Sequence, residues 1–217
     1  AWGEFLQYFL SSDSIAVQNY ANGGRSTRNF INEGTLDKIA SQIKKGDYLF
    51  IQFGHNDASN SSGHLEDRFV PLGKPDAKGI YPTTVGKKVA TPASLVDKYG
   101  KEFYSYESGT FKGFLLQYIE VARKVGATPV LVSPVARLYF GGDGKLTPHH
   151  DSKDTTTKTQ TTKNNAYVEA VRQLAQEQKV AFIDGFELTK QLYEEAYAKA
   201  NNNKKFAQQL MSMGDST

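Results

Sequence analysis

Cysteine is absent from this 217-residue chain, which excludes disulfides, thiolate nucleophiles and Cys-ligated metal sites. A charge excess of one sign is missing too. Twenty-six Lys and Arg stand against 23 Asp and Glu, and a net +3 is too weak to imply nucleic acid. No apolar run approaches the about 20 residues of a membrane span, and no cleavable signal segment is visible. Internal repeats are lacking as well. What remains is ordinary for a globular protein: 23% charged and 39% apolar residues, with length for one sizeable core. A single domain over residues 1–217, acting as a monomer, is the expectation. The missing cysteines fit secretion and cytosol equally.

Apolar patterning supplies the fold class. Tyr48-Leu49-Phe50-Ile51, Pro129-Val130-Leu131-Val132 and Val180-Ala181-Phe182-Ile183 are short apolar runs of the kind that form buried parallel strands. Between them, Phe111, Phe114, Leu115, Tyr118, Ala122 and Val125 recur at helical spacing, closed by Gly126. Helices are also expected over Leu36 to Ile43 (with Thr35 as N-cap), Tyr167 to Ala175, Phe186 to Ala200 and Phe206 to Leu210, with a short one from Glu4 to Leu10. Ser14 to Gln18 reads as one more strand. Strands alternating with helices predict an α/β fold, a three-layer α/β/α sandwich around a parallel sheet. Residues 58–109 carry four prolines and no long periodic element, a length that points to a functional surface. Residues 138–162 form a second loop, and its Thr-rich part, with His149 and His150, reads as solvent-facing and without metal-ligand spacing.

Phe53-Gly54-His55-Asn56-Asp57 follows the first of these strands, where open α/β sheets bind ligands. Gly23-Gly24-Arg25 lies in a loop that faces the same sheet edge. A backbone N–H at Gly24 and the Asn56 amide, converging on one point, make an oxyanion hole for acyl transfer. A phosphate-binding nest is the competing use of such a loop, but the spacing of the standard phosphate motifs is absent. Arg25 and Arg28 could meet a uronate carboxylate, although arginines after a turn are more often structural. His55 could contact substrate or support the turn by hydrogen bonding. Tyr81, Phe103, Tyr104 and Tyr106 suit either sugar stacking or the long loop's own small core.

These motifs carry a resemblance. Asn19-Tyr20-Ala21-Asn22-Gly23-Gly24-Arg25-Ser26-Thr27-Arg28-Asn29-Phe30 resembles the second signature block of SGNH (GDSL-type) hydrolases, and Phe53-Gly54-His55-Asn56-Asp57 resembles the third. Gly24-Arg25-Ser26 and Val132-Ser133-Pro134-Val135-Ala136-Arg137 are similar to the rhamnogalacturonan acetylesterase-like branch. The resemblance implies a serine nucleophile in a Gly-Asp-Ser block after the first strand and an Asp-x-x-His pair near the C-terminus. The one Gly-Asp-Ser here is Gly214-Asp215-Ser216. As a displaced first block it would make Ser216 the nucleophile of a permuted enzyme. As the last block it would make Asp215 the triad acid, and the absence of an apolar β-branched run before Gly214 favours this. The chain would then be truncated at both ends, without its first strand, nucleophile, catalytic His and last helix.

The implied activity is a secreted serine esterase that removes acetyl groups from a plant cell-wall polysaccharide, with Asp215, Gly24 and Asn56 in catalysis and Arg25 and His55 on substrate. No metal or organic cofactor is called for, and neither nucleic acid nor membrane is an expected partner. A lipid or small-ester hydrolase, and a catalytically silent glycan-binding module, are the alternatives.

Overall fold

In the computed structural model, which describes residues 2–10, 14–60, 64–152, 162–201 and 203, the strand signals become a parallel sheet. The strands are β1 (Tyr48–Gln52), β2 (Val89–Ala90), β3 (Glu102–Phe103), β4 (Thr128–Val132) and β5 (Ala181–Ile183). β4 lies between β1 and β5, all parallel, with Phe50 opposite Val130 and Val130 opposite Ala181. The helices are α1 (Trp2–Phe5), α2 (Thr27–Asn32), α3 (Thr35–Gln42), α4 (Val96–Tyr99), α5 (Phe111–Val125), α6 (Ala166–Gln178) and α7 (Gly185–Lys199). A parallel sheet flanked by helices is what the alternation predicted.

Side chains on one face of the sheet, Leu49, Ile51, Leu131 and Phe182, pack with α5 and α6 into the main core, which Phe30 of α2 and Leu36 and Ile39 of α3 complete. Each fully buried aliphatic or aromatic side chain there contributes ~1.5–3 kcal/mol. On the opposite face Tyr48 is 67% and Ile183 38% exposed. Helix α7 packs through Phe186 against Ala136 and Val168, and through Tyr197 onto Phe140, so it leans on the loop after β4. Gly113, in mid-helix, has a packing reason: a Cβ there would lie 1.8 Å from the Thr84 carbonyl oxygen. The chain of residues 83–85 rests directly on α5.

Three expectations need correction. Ser14 to Gln18 forms no strand: Gln7 caps its backbone instead, donating Nε2–H to Ile15 O and accepting Val17 N–H. Glu4 to Leu10 is not one helix but the end of α1 followed by a 3-10 turn, Leu6–Phe9, with Phe5 and Phe9 exposed. Gly34, not Thr35, holds the N-cap position of α3. The helix expected over Phe206 to Leu210 lies outside the described residues.

Residues 58–109 contain the antiparallel ribbon β2–β3, with Val89 opposite Phe103, the 3-10 turn Ala93–Leu95 and α4. Val70, Leu72 and Phe103 anchor the segment in the interior. Arg28, wholly buried, ties the rest down by donating to four backbone carbonyls, those of Leu65, Glu66, Phe69 and Tyr104.

Candidate active site

The site is assembled at the carboxyl end of β1, where the chain must turn. Gly54 makes that turn with φ +135°, and a Cβ there would meet Pro134 Cγ at 2.8 Å, so the ends of β1 and β4 approach as closely as backbone allows. The turn then returns Asp57 to the interior. Its Oδ1 accepts Thr27 N–H at 2.8 Å and Thr27 O–H at 2.6 Å, while Oδ2 accepts Gly54 N–H at 3.0 Å. Burial lifts the Asp57 carboxyl to about 6, even though these donors pull it down. Asp57 thereby binds the first residue of α2, directly after the loop of residues 19–26, to the loop after β1.

Helix α2 begins at that junction. Ser26 accepts Asn29 N–H through Oγ, and Asn29 Oδ1 accepts Ser26 N–H at 2.5 Å, a reciprocal cap. Tyr118 of α5 donates to Thr27 O at 2.8 Å, and Tyr167 of α6 donates to Val70 O at 2.7 Å. Phe53 packs its ring between Phe30 and Tyr118. The platform beneath the two loops is therefore tied together by hydrogen bonds and aromatic packing.

On that platform Asn56 points its amide at the first loop. Its Nδ2 donates to Arg25 O at 3.2 Å, which sets Asn56 against the loop that carries Gly24. Arg68 faces the other side of the same amide, its guanidinium 3.4 Å from Asn56 Oδ1. Arg25 turns its own guanidinium onto Glu33, at 2.9 Å, and Gly23 O, at 3.0 Å. Arg28 is committed to the backbone carbonyls named above and does not reach a ligand. Asp215 and Ser216 lie outside the described residues.

Beside Asn56 opens a cleft of about 330 Å³, walled by His55, Arg68, Arg137, His149 and Asp151. His55 and His150 stack at 4.6 Å, and each donates Nε2–H to the single carbonyl of Val135, at 2.9 and 2.8 Å. The expectation that His150 faces solvent is wrong: it is 1% exposed. Burial, with His55 and His149 adjoining, drives its pKa down to about 2, so the ring is neutral. His149 accepts Arg137 N–H at Nε2 and donates Nδ1–H to Thr147 O, and burial lowers its pKa as well. Both of its nitrogens are occupied by backbone, which leaves no lone pair for a metal. Among the described residues no group of three or more His, Asp or Glu could hold a metal ion.

A second cleft, of about 580 Å³, is lined by Phe69, Lys74, Tyr81, Ser152 and Lys163. Consecutive residues line the two clefts at two points, Arg68 and Phe69, and Asp151 and Ser152. Of the loop aromatics, Tyr81 thus lines a cleft, whereas Phe103 stacks on Tyr99 and Tyr104 packs edge-on against Phe114 as internal core. Arg68 was missed by sequence reasoning because nothing local marks it. Arg137 lay in the run after β4 that was singled out, but without a role.

The family described as GDSL-like Lipase/Acylhydrolase matches residues 1–212. Rhamnogalacturonan acetylesterase RhgT of Bacillus subtilis is 34% identical over 206 residues, which cover 94% of this chain and 63% of that protein. Probable rhamnogalacturonan acetylesterase YesY of the same organism is 32% identical over 183 residues, covering 84% of this chain and 59% of that protein. The chain thus spans about three-fifths of the length of these relatives. The crystal structure of Bacillus subtilis protein YxiM superposes with a TM-score of 0.58 over the whole chain and 44% of its own, at 22% identity, a likeness of fold.

Proposed function

The chain belongs to the GDSL-like lipase/acylhydrolase family, and from that membership we propose that the protein is a serine esterase removing acetyl groups from a pectic polysaccharide. The observation that carries the reading is the approach of the Asn56 amide to the Gly24–Arg25 backbone, at 3.2 Å, on the rim of a polar cleft. Substrate displaces the Asn56–Arg25 hydrogen bond, and the acetyl carbonyl oxygen takes its place between Asn56 Nδ2 and Gly24 N–H. The family's serine attacks the carbonyl carbon while its histidine removes the hydroxyl proton, and Asp215 orients that histidine. Collapse of the tetrahedral intermediate breaks the bond to the sugar oxygen, which takes the proton from the histidine and leaves as a hydroxyl. Water then hydrolyses the acetyl-enzyme by the same route. Donors aimed at the oxyanion, not at the ground-state carbonyl, supply the acceleration.

Three features support a polymeric, acidic substrate. The relatives' names carry rhamnogalacturonan. The two clefts give room for more than one sugar. The 58–109 segment interleaves Lys74, Lys78, Lys87, Lys88, Lys98 and Lys101 with acidic residues and lacks the apolar run an acyl chain needs. Secretion is part of this reading, since the polymer is extracellular.

Asn56→Ala in the full-length natural protein tests the proposal. We expect kcat to fall ~10²–10³-fold with KM little changed, and circular dichroism to stay native. An unchanged kcat removes Asn56 from the oxyanion hole. If esters of eight carbons or more outpace acetyl esters, the substrate is a lipid or small ester instead.

A further inference from the structure

Building on the esterase reading above, we propose that the cleft beside Asn56 reads a free carboxylate of the acetylated sugar through Arg137 and Arg68. The charge of the cleft wall is the first observation. Asp151 is the one carboxylate lining it among the described residues, and its oxygens accept from Thr162 Oγ1, Asn165 N–H and Ala166 N–H, all at about 3 Å. That carboxylate is spent on the turn that starts α6. Asp67 touches Arg68 at 3.1 Å, but its other oxygen is held by Lys98 at 2.9 Å, so the trio stays positive.

Arg137 makes no ion pair among the described residues, and its guanidinium has one side-chain partner there, the Tyr139 hydroxyl at 3.3 Å. His55, His149 and His150 bond backbone carbonyls with one ring nitrogen each, and none of them supplies the wall with a negative charge. Two guanidinium groups therefore face the cleft with one of them lacking a carboxylate and the other sharing one. A planar carboxylate is the ligand that a guanidinium fork matches with two parallel, charge-assisted hydrogen bonds.

The second observation is position. Arg68 also touches the side chain of Asn56, the residue that meets the ester, so the anion and the scissile ester belong to the same or the neighbouring sugar. A uronic acid carries both groups. A neutral acetylated sugar such as xylan offers nothing to the arginines, and methyl esterification of the uronate hides the charge without changing the ring.

The test compares kcat/KM for acetate release by the full-length protein from acetylated oligogalacturonate with free carboxylates and from the same oligosaccharide after methyl esterification. We expect the free acid to be preferred about tenfold or more, the worth of one charge-assisted hydrogen bond. The preference should fall close to one in Arg137→Gln and recover in part in Arg137→Lys. As a measurement independent of any variant, galacturonate should inhibit hydrolysis of p-nitrophenyl acetate at concentrations where its methyl ester does not. Equal release from both oligosaccharides overturns the carboxylate site and leaves the esterase standing. Release from neither, with p-nitrophenyl acetate still turned over, overturns the pectic reading and this inference with it. Stronger inhibition by sulfated or phosphated galactose than by galacturonate assigns the arginines to a different anion and also overturns it.

Discussion

Behind Asn56 the protein buries Thr27, Arg28 and Asp57 and gives them hydrogen-bond partners; in front of Asn56 comparable groups stand half-open to the cleft. Arg28 and Arg137 make the contrast concrete. The first is wholly buried and spends its guanidinium on four carbonyls of residues 65–104. The second lines the cleft and, among the described residues, has a single side-chain partner for its guanidinium, the Tyr139 hydroxyl. The same side chain is a brace in one place and a free fork in the other. Burial with complete satisfaction marks the structural role, and partial exposure with spare donors marks the ligand role.

The largest test of that contrast is Arg28→Met. Removing the fork leaves a buried cavity and four carbonyls of partly buried or exposed residues without their donor, and we expect ~3 kcal/mol of lost stability in urea unfolding. A loss below ~1 kcal/mol would mean that water replaces the guanidinium and that the segment is not braced.

Next in size is the pH dependence around Asp57. Its folded carboxyl titrates near 6 against an ordinary 3.8, so the native state holds this proton more tightly than the unfolded chain does. The group therefore adds stability as pH falls from about 6 towards 4, by up to ~3 kcal/mol. His150 does the reverse: its ring stays neutral down to about 2 while the unfolded ring charges near 6.5, so stability is lost as pH falls. Between pH 6 and 4 the two slopes offset. Asp57→Asn removes the first and leaves the second, so its urea midpoint should drop more steeply with acid than that of the natural protein. Parallel pH profiles for the two proteins would show that Asp57 is not the group titrating near 6.

The smallest expected effect is on the stability of Arg137→Gln. With no ion pair among the described residues to lose, unfolding free energy should change by no more than ~0.5 kcal/mol, as for most surface substitutions. Activity on acidic polymer should lose part of its sensitivity to salt, because the screened attraction is weaker. A large destabilisation would place Arg137 with Arg28, on the structural side.

The same contrast explains what could be read from the chain. β1, β4, α5 and α6 were legible because their cores are apolar and periodic, and the turn from Phe53 to Asp57 because it directly follows the apolar run of β1, whereas the strand read before the Gly24 loop does not form. Helix α2 was not seen as a helix: its buried residues Thr27, Arg28 and Asn29 are polar, and hydrophobic periodicity cannot detect a face satisfied by hydrogen bonds. Arg68 and Arg137 join the cleft through tertiary contacts over tens of residues, for which no local pattern exists. His150 reads as a loop histidine until Val135 and His55 are seen to enclose it. The apolar run at Ile15 to Val17 resembled a strand by composition, yet a single glutamine side chain supplies the partners that a neighbouring strand would have provided.

The clamp at Asp57 also sets how this site can be engineered. Since one carboxylate holds Thr27, directly after one loop, and Gly54 on the other, neither loop is a separable module. Transplanting the Gly24 loop alone into another scaffold moves half of a hydrogen-bonded pair and leaves a buried acid unmatched in the donor protein. Recombination that preserves the site must carry Thr27 and Asp57 together, although 30 positions separate them in the chain.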